Sequence, residues 1–470
     1  MRDRVLDGMG ELMLCSAIFE KFVSKSPISV MARATMEHAL TADSINALFL
    51  EHADEQYTRK LMFSSVVDLM SVVVSRIQPT VNAAFQAVLG TLPVSLTALY
   101  DKLNGVETQV TSALVKHAAD RLAPVVAAMG GRLPDLVPNY RVRILDGNHL
   151  AATERRLEVL HGSIAGPLPG HAIVFLDPAS MLVTHMIPCE DGHAQERSLT
   201  DEIIDIVEAN DVIVADRNFC TTRLLFGTAR KEAFFVIRHH ANLPLVSSGT
   251  RRKLGRTETG ELFEQRVTIR NSTGDTMRVR RVILQLDTPT RDGDEEMSIL
   301  THLPVKAAGA VAVANVYGKR WTLETLFQAL TQMLEGEINA LGYPRAALLG
   351  FGIALVTYNI LSTVQAALRG AFGVEKVQTE VSAYYIANEV RGTALGMAIA
   401  IDDGEWKRFE VMTHPQFARQ MLRWASGVRL ARLKRHPRGP KKPVPKRTRF
   451  ADETHVSTFR LLAKAREKRP

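Results

Sequence analysis

The four residues Val212-Ile-Val-Ala215 constrain the fold of this chain more than any other stretch. A strand this short and apolar at every position is covered on both faces, which places it in the middle of a sheet flanked by helices. Its neighbours fit that setting. Tyr140–Leu145 reads as a strand by alternation and β-branched content, and it runs into Asp146-Gly147-Asn148-His149. His171–Leu176 and Met181–Pro188 form a hairpin around Asp177-Pro178-Ala179-Ser180, a turn that accounts for Asp177 without chemistry. A helix from Glu196 to Asn210, a second from Thr221 to Glu232, and a fifth strand at Ala233–Ile237 complete a mixed α/β sheet with an antiparallel start.

Asp146 and Asp216 are placed alike, each at the end of a strand and before a loop. If the two strands are neighbours, both carboxylates emerge at one edge of the sheet. Two carboxylates held together repel unless a cation lies between them. Ligands that are all oxygen, with no thiols or paired histidines, favour Mg²⁺ or Mn²⁺. Taken singly, each aspartate suits a helix cap or a turn equally well. Among the histidines, His161 and His193 fit no ligand spacing, whereas His149, three residues after Asp146, is within reach of a bound phosphate.

A third carboxylate comes from Asn315–Leu334. Leu323, Phe327, Leu330 and Leu334 recur at helical spacing, and Arg320, Glu324 and Gln328 form a polar stripe with Tyr317 a turn earlier. On an isolated helix this would be a solvated Arg/Glu pair. Beside two strand-end aspartates, Glu324 completes a set of three.

The rest of the chain supplies context. Residues 1–135 read as a helical N-terminal domain, with helix starts at Ser26-Pro27 and Thr41-Ala42-Asp43-Ser44, suited to gripping a DNA end or serving as a scaffold. Residues 136–237 are the first part of the α/β core. Residues 238–303 carry β segments at Glu264–Arg270, Met277–Leu286 and Met297–Leu300, with Arg278, Arg280 and Arg281 joining Arg251, Arg252, Lys253, Arg256, Arg266 and Arg270 in a basic ribbon. Residues 304–425 return to the core, with an apolar helix at Ala346–Ala367 that suits burial better than a membrane. Residues 426–470 hold 15 Lys and Arg against three acidic residues, a net +12 in a chain of net +8. Rich in proline, this stretch reads as an extended basic tail seeking a polyanion. The N-terminus shows no export signal, and Cys15, Cys189 and Cys220 are too dispersed for a disulfide framework, which together suit a reducing cytoplasm.

Asp146-Gly147, Ala215-Asp216-Arg217-Asn218-Phe219 and Tyr317-x2-Arg320-x3-Glu324 together resemble the three acidic blocks of DDE transposases of bacterial insertion sequences, in the group with a β-strand insertion before the last acidic residue. The resemblance implies an α/β, ribonuclease-H-like mixed-sheet catalytic core. It implies two Mg²⁺ (or Mn²⁺) ions on Asp146, Asp216 and Glu324, with Tyr317 and Arg320 contacting phosphate. It also implies cleavage at element ends and joining of the 3′-hydroxyl to target DNA, by a homodimer in a synaptic complex on double-stranded DNA. Gln328, Arg278, Arg280 and Arg281 are the further DNA contacts expected.

Two departures stand against the pattern. Thr331 lies where the family block usually continues with a lysine, and residues 238–301 contain no tryptophan to trap a flipped base. A metal-dependent nuclease without strand joining and a DNA-binding protein with a decayed site therefore remain as alternatives.

Overall fold

The computed structural model describes residues 16–56, 58, 60–90, 92–151, 157–161, 166–290, 293–436 and 454–468. Seven helices come first: α1 (Ala17–Lys25), α2 (Pro27–Ala39), α3 (Ala42–His52), α4 (Phe63–Val74), α5 (Val81–Ala87), α6 (Leu96–Gly105) and α7 (Thr108–Ala128). The helix starts read from the sequence are used. Pro27 occupies the first turn of α2, where its missing N–H costs nothing, and the Thr41 hydroxyl caps α3 by accepting the Ser44 N–H at 3.3 Å. These helices have no separate core. Phe19, Met31, Phe63, Leu114 and Val126 belong to one buried cluster that also takes in one face of the sheet and the later helices.

The sheet has ten strands. In chain order β1 (Arg141–Leu150) comes first, β2 (Gly166–Leu168) lies apart, and β3 (Gly170–Asp177), β4 (Leu182–Cys189), β5 (Asp211–Ala215) and β6 (Phe234–Arg238) follow. The insertion adds β7 (Val246–Ser247), β8 (Arg252–Thr257), β9 (Gly260–Arg270), β10 (Thr276–Leu286) and β11 (Glu296–Thr301). Their spatial order is β4-β3-β1-β5-β6-β11-β10-β9-β7, with β8 also on β9. β1, β3 and β4 are antiparallel, the start that the sequence predicted for a mixed sheet, and β1, β5 and β6 are parallel. The insertion is no appendage, because β11 pairs with β6 and carries the same sheet outward.

Burial of both faces explains the all-apolar β5. Val212 and Val214 enter the large cluster on one side, whereas Ile213 and Ala215 enter a smaller cluster on the other. The smaller one is covered by α9 (Thr200–Ile206) and α10 (Thr222–Arg230), both shorter than the helices expected there, since Glu196–Leu199 is a separate 3-10 turn. A four-residue helix, α8 (Glu158–His161), precedes β2.

Over the large face lie α11 (Ala310–Gly318), α12 (Trp321–Gln332) and α13 (Pro344–Phe372). The single helix expected over Asn315–Leu334 is thus two, divided at Lys319-Arg320. Alone among the described helices, α13 has the length and apolarity to cross a membrane, yet 94% of its apolar window is buried inside the protein. It is a core helix. Asn359 shows why its polar residues are tolerated, because its amide accepts the Val183 N–H at 2.7 Å and donates to the Val183 carbonyl at 2.8 Å, pinning α13 to β4. Further along are α14 (Val374–Glu380), α15 (Ala383–Ala400) and α16 (His414–Ser426).

The basic end of the chain departs from a wholly extended tail. Residues 437–453, with four of its five prolines, lie outside the described residues. Beyond them β12 (His455–Ser457) pairs with β2, and α17 (Thr458–Glu467) follows. Asp191 fastens this return, accepting from Ser457 Oγ at 2.6 Å and Arg460 Nε at 2.7 Å. Two charge-assisted bonds outweigh the solubility of the flanking cations at that point.

Asn359→Leu removes both partners of a buried backbone pair while keeping the volume similar, so it should destabilise the protein by about 2–4 kcal/mol. Urea unfolding measures this, and an unchanged midpoint would show that the pair contributes nothing.

Candidate active site

Strand alternation sets the direction of each functional side chain. In β1, Val142, Ile144 and Leu150 enter the large core and Leu145 the small one, so Asp146 projects on the large face and Gly147 and His149 on the other. Asp216 has the parity of Val212 and Val214 and shares the face of Asp146. Ile144 opposes Val214 across the parallel β1–β5 pair. Carried two residues further, that register sets Asp146 beside Asp216, the adjacency on which the sequence reading depended.

Glu324 arrives from above. Leu323, Leu326 and Leu330 seat α12 in the large core against β1, which turns Glu324 toward Asp146. That aspartate lies inside β1 rather than at a strand end before a loop, because residues 146–150 continue the pairing with β3. Arg320 makes the connection, donating from Nη1 to Asp146 Oδ2 at 2.9 Å and pairing through Nη2 with Glu324 Oε1 at 2.6 Å. Asp146 also accepts the Gly147 N–H at 3.0 Å, and Asp216 caps the following 3-10 turn through the Asn218 N–H at 2.8 Å. Burial pushes the Asp146 carboxyl up to about 6; Arg320 opposes this, while Asp216 and Glu324 reinforce it.

A fourth carboxylate, absent from the sequence reading, stands at the same place. Glu196 begins the 3-10 turn before α9, and its Oε1 lies 1.8 Å from where a Cβ on Gly147 would fall. Burial, with Asp216 and Asp146 adding repulsion, drives its carboxyl up to about 7, against the pull of Asn218 and Arg197. The available signal was the glycine directly after Asp146, which permits close approach from the far face.

Other expected contacts are redistributed. Tyr317 is only 6% exposed and sits in the large core at the end of α11, with its phenol against Arg320, so it backs the arginine rather than facing solvent. Gln328 is exposed one turn beyond Glu324. Trp321, 61% exposed, leaves its ring 5.2 Å from the Arg320 guanidinium. The Thr331 hydroxyl turns back to the Gln328 carbonyl at 3.0 Å, and its own carbonyl accepts from Arg76 at 2.9 Å. His149 faces away from the aspartates and stacks on the buried His171, with ring centroids 5.1 Å apart, so it is not a neighbour of the acidic site.

The basic ribbon divides by partner. Arg280 is buried, paired with Glu264 at 2.8 Å and donating to the carbonyls of Leu303 and Ala308, which removes it from the DNA contacts. Arg281 projects on the other face and pairs with Glu296 at 3.0 Å, as Arg251 does at 2.8 Å. Lys253 and Arg256 pair with Glu261 and Asp287. Arg252, Arg266, Arg270 and Arg278 are exposed, have no acidic partner among the described residues, and lie by strand parity on the face that carries Asp146.

The donors suit a hard divalent cation, being carboxylate oxygens with neither thiol nor imidazole among them. As the side chains stand, no three acidic, histidine or cysteine groups among the described residues are gathered into an ion-holding set. The guanidinium of Arg320 fills the space between Asp146 and Glu324.

Because the folded Asp146 binds its proton more tightly than an unfolded aspartate, its contribution favours folding at low pH and is lost as pH rises from about 4 through about 6. Metal-free Asp146→Asn should therefore gain stability relative to the unmodified chain over that window, as read by thermal unfolding. Parallel curves would contradict the burial described.

No curated protein matches the chain. Residues 139–360, which run from the start of β1 to the middle of α13 and contain all four carboxylates, match the family model of the transposase DDE domain. That stretch carries a transposase DDE domain, which supports a DDE transposase of an insertion sequence.

Proposed function

We propose that this protein cleaves DNA at the ends of an insertion sequence and joins the freed 3′-hydroxyl to target DNA by two-metal-ion phosphoryl transfer. What supports the reading is a match to the transposase DDE domain in which Asp146 and Asp216 share one face of neighbouring parallel strands and Glu324 shares the Arg320 guanidinium with Asp146. Two Mg²⁺ or Mn²⁺ ions on these carboxylates would supply the Lewis-acid charge that activates the attacking oxygen and stabilises the leaving one.

The protein's own groups have distinct parts. Asp146 and Asp216 are fixed by the sheet. Glu324 rides on α12 and closes the site from the helix layer. Arg320 balances Asp146 and Glu324 in the resting protein, and its fork of donors is suited to exchange a carboxylate for a backbone phosphate when DNA arrives. Tyr317 positions that guanidinium from behind. Duplex DNA would lie along the large face, touching Gln328 and the exposed Arg252, Arg266, Arg270 and Arg278. Bringing two element ends together calls for a homodimer or larger synaptic assembly. The helices before residue 135 are the proposed grip on the element end, and the basic stretch from residue 426 adds charge for DNA.

Incubation with Mg²⁺, a labelled element end and a plasmid should yield joined products. Cut but unjoined DNA would support the nuclease alternative, and retarded, uncut DNA a decayed site. Asp216→Asn and Glu324→Gln should each lower cleavage about a thousandfold, several kcal/mol of transition-state stabilisation. Full cleavage by Glu324→Gln would overturn the site.

Arg266→Gln with Arg278→Gln should flatten the salt dependence of DNA affinity by about two in log–log slope. Affinity measured from low to high salt tests this, and an unaltered slope would remove the two arginines from the DNA track.

A further inference from the structure

We propose that Glu196 is a fourth carboxylate of the divalent-cation site, reaching the three others from the opposite face of the sheet across Gly147. The inference rests on the transposase reading of the site and adds a residue to it. Its basis is a contact and an anchor. Oε1 of Glu196 occupies the volume that any side chain at position 147 would take, since a Cβ there would fall 1.8 Å away. The residue that follows Asp146 thus has to be small, and the space is filled by a carboxylate rather than by an apolar group. That is an unusual use of a core-facing position in a strand whose neighbouring residue on the same face, Leu145, is fully buried.

The anchor is the loop after Asp216. Arg197, next in sequence to Glu196, donates from Nε to the Asn218 carbonyl at 3.0 Å, and the Asn218 N–H caps Asp216. The two 3-10 turns, Glu196–Leu199 and Arg217–Phe219, pack against each other, so Glu196 and Asp216 are held by one small unit. The side chain of Asn218 also bonds Glu196. Its side-chain partner is thus an amide; Arg197 pulls on it from an exposed position with its Nε given to the Asn218 carbonyl, and Arg320 is already engaged by Asp146 and Glu324.

Charge balance points the same way. Four ionised carboxylates and Arg320 sum to minus three. Two divalent cations with one phosphodiester sum to plus three. With Glu196 left out, the bound assembly would carry a surplus positive charge inside a half-buried site, where unbalanced charge is costly.

The test is Mn²⁺ binding to the full-length protein by calorimetry, in the absence of DNA and independent of turnover. Glu196→Gln keeps the shape and removes the charge, whereas Gly147→Ala keeps all four carboxylates and displaces the Glu196 tip. Each should weaken Mn²⁺ binding about tenfold or more. Glu202→Gln, an exposed charge loss on the adjoining helix, should leave it unchanged, and far-ultraviolet circular dichroism confirms that each variant is folded. Mn²⁺ affinity unchanged in Glu196→Gln, with binding lost in Asp146→Asn, would overturn the role of Glu196 and leave the three-carboxylate site standing. Absence of Mn²⁺ binding in the unmodified protein would overturn both.

Discussion

One guanidinium ties the helical layer of this protein to its sheet at the acidic site. Arg320 stands between a strand aspartate and a helix glutamate and is itself largely buried, so its removal would leave two carboxylates facing each other with no cation. The division of the expected helix at Lys319-Arg320 serves this contact. It lets α11 follow the insertion strands and α12 follow β1, while the i, i+4 spacing of Arg320 and Glu324 survives from the N-cap into the first turn of the second helix. A single straight helix would have satisfied its apolar stripe but not both packing directions.

The continuity of the sheet gives the site its surroundings. Since β11 pairs with β6, a residue's parity in the insertion decides whether it shares the face of Asp146 or lies on the opposite one. The ribbon's arginines are sorted by that rule and by their partners. Arg280 shares the face of Asp146 but is spent on Glu264 and two carbonyls, Arg281 points the other way, and the four arginines without acids among the described residues remain for solvent or a polyanion. Eleven residues of β9 against eleven of β10 make this a rigid platform.

Much of this was legible in the chain. The all-apolar Val212–Ala215, the hairpin around Asp177 and the position of Asp216 directly after β5 follow from local patterns of period two and from turn chemistry, which need no tertiary information, whereas Asp146, read as a strand end, lies inside β1 because β3 pairs with it as far as Leu150. Asp177 indeed spends its carboxylate on the Ala179 N–H at 2.9 Å and the Ser180 hydroxyl at 2.7 Å. The Tyr-x2-Arg-x3-Glu spacing named Arg320 and Glu324 as partners because i, i+4 is a property of any helix.

What only the tertiary structure decided depends on contacts between distant segments. Whether an arginine in a strand is free or consumed turns on which acid lies across the sheet, 16 residues away for Arg280 and Glu264. Tyr317 was expected to contact phosphate from the resemblance of its Tyr-x2-Arg-x3-Glu block, but the spacing of a block does not show that α11 buries that position. The approach of Glu196 to Asp146 spans fifty residues and two faces of a sheet, and nothing local in either segment specifies it. The sequence by itself determined the strands, the helices and the three acidic blocks, since these arise from short-range periodicity. Tertiary packing decided which charges meet, because a carboxylate's partner is set by where the chain returns.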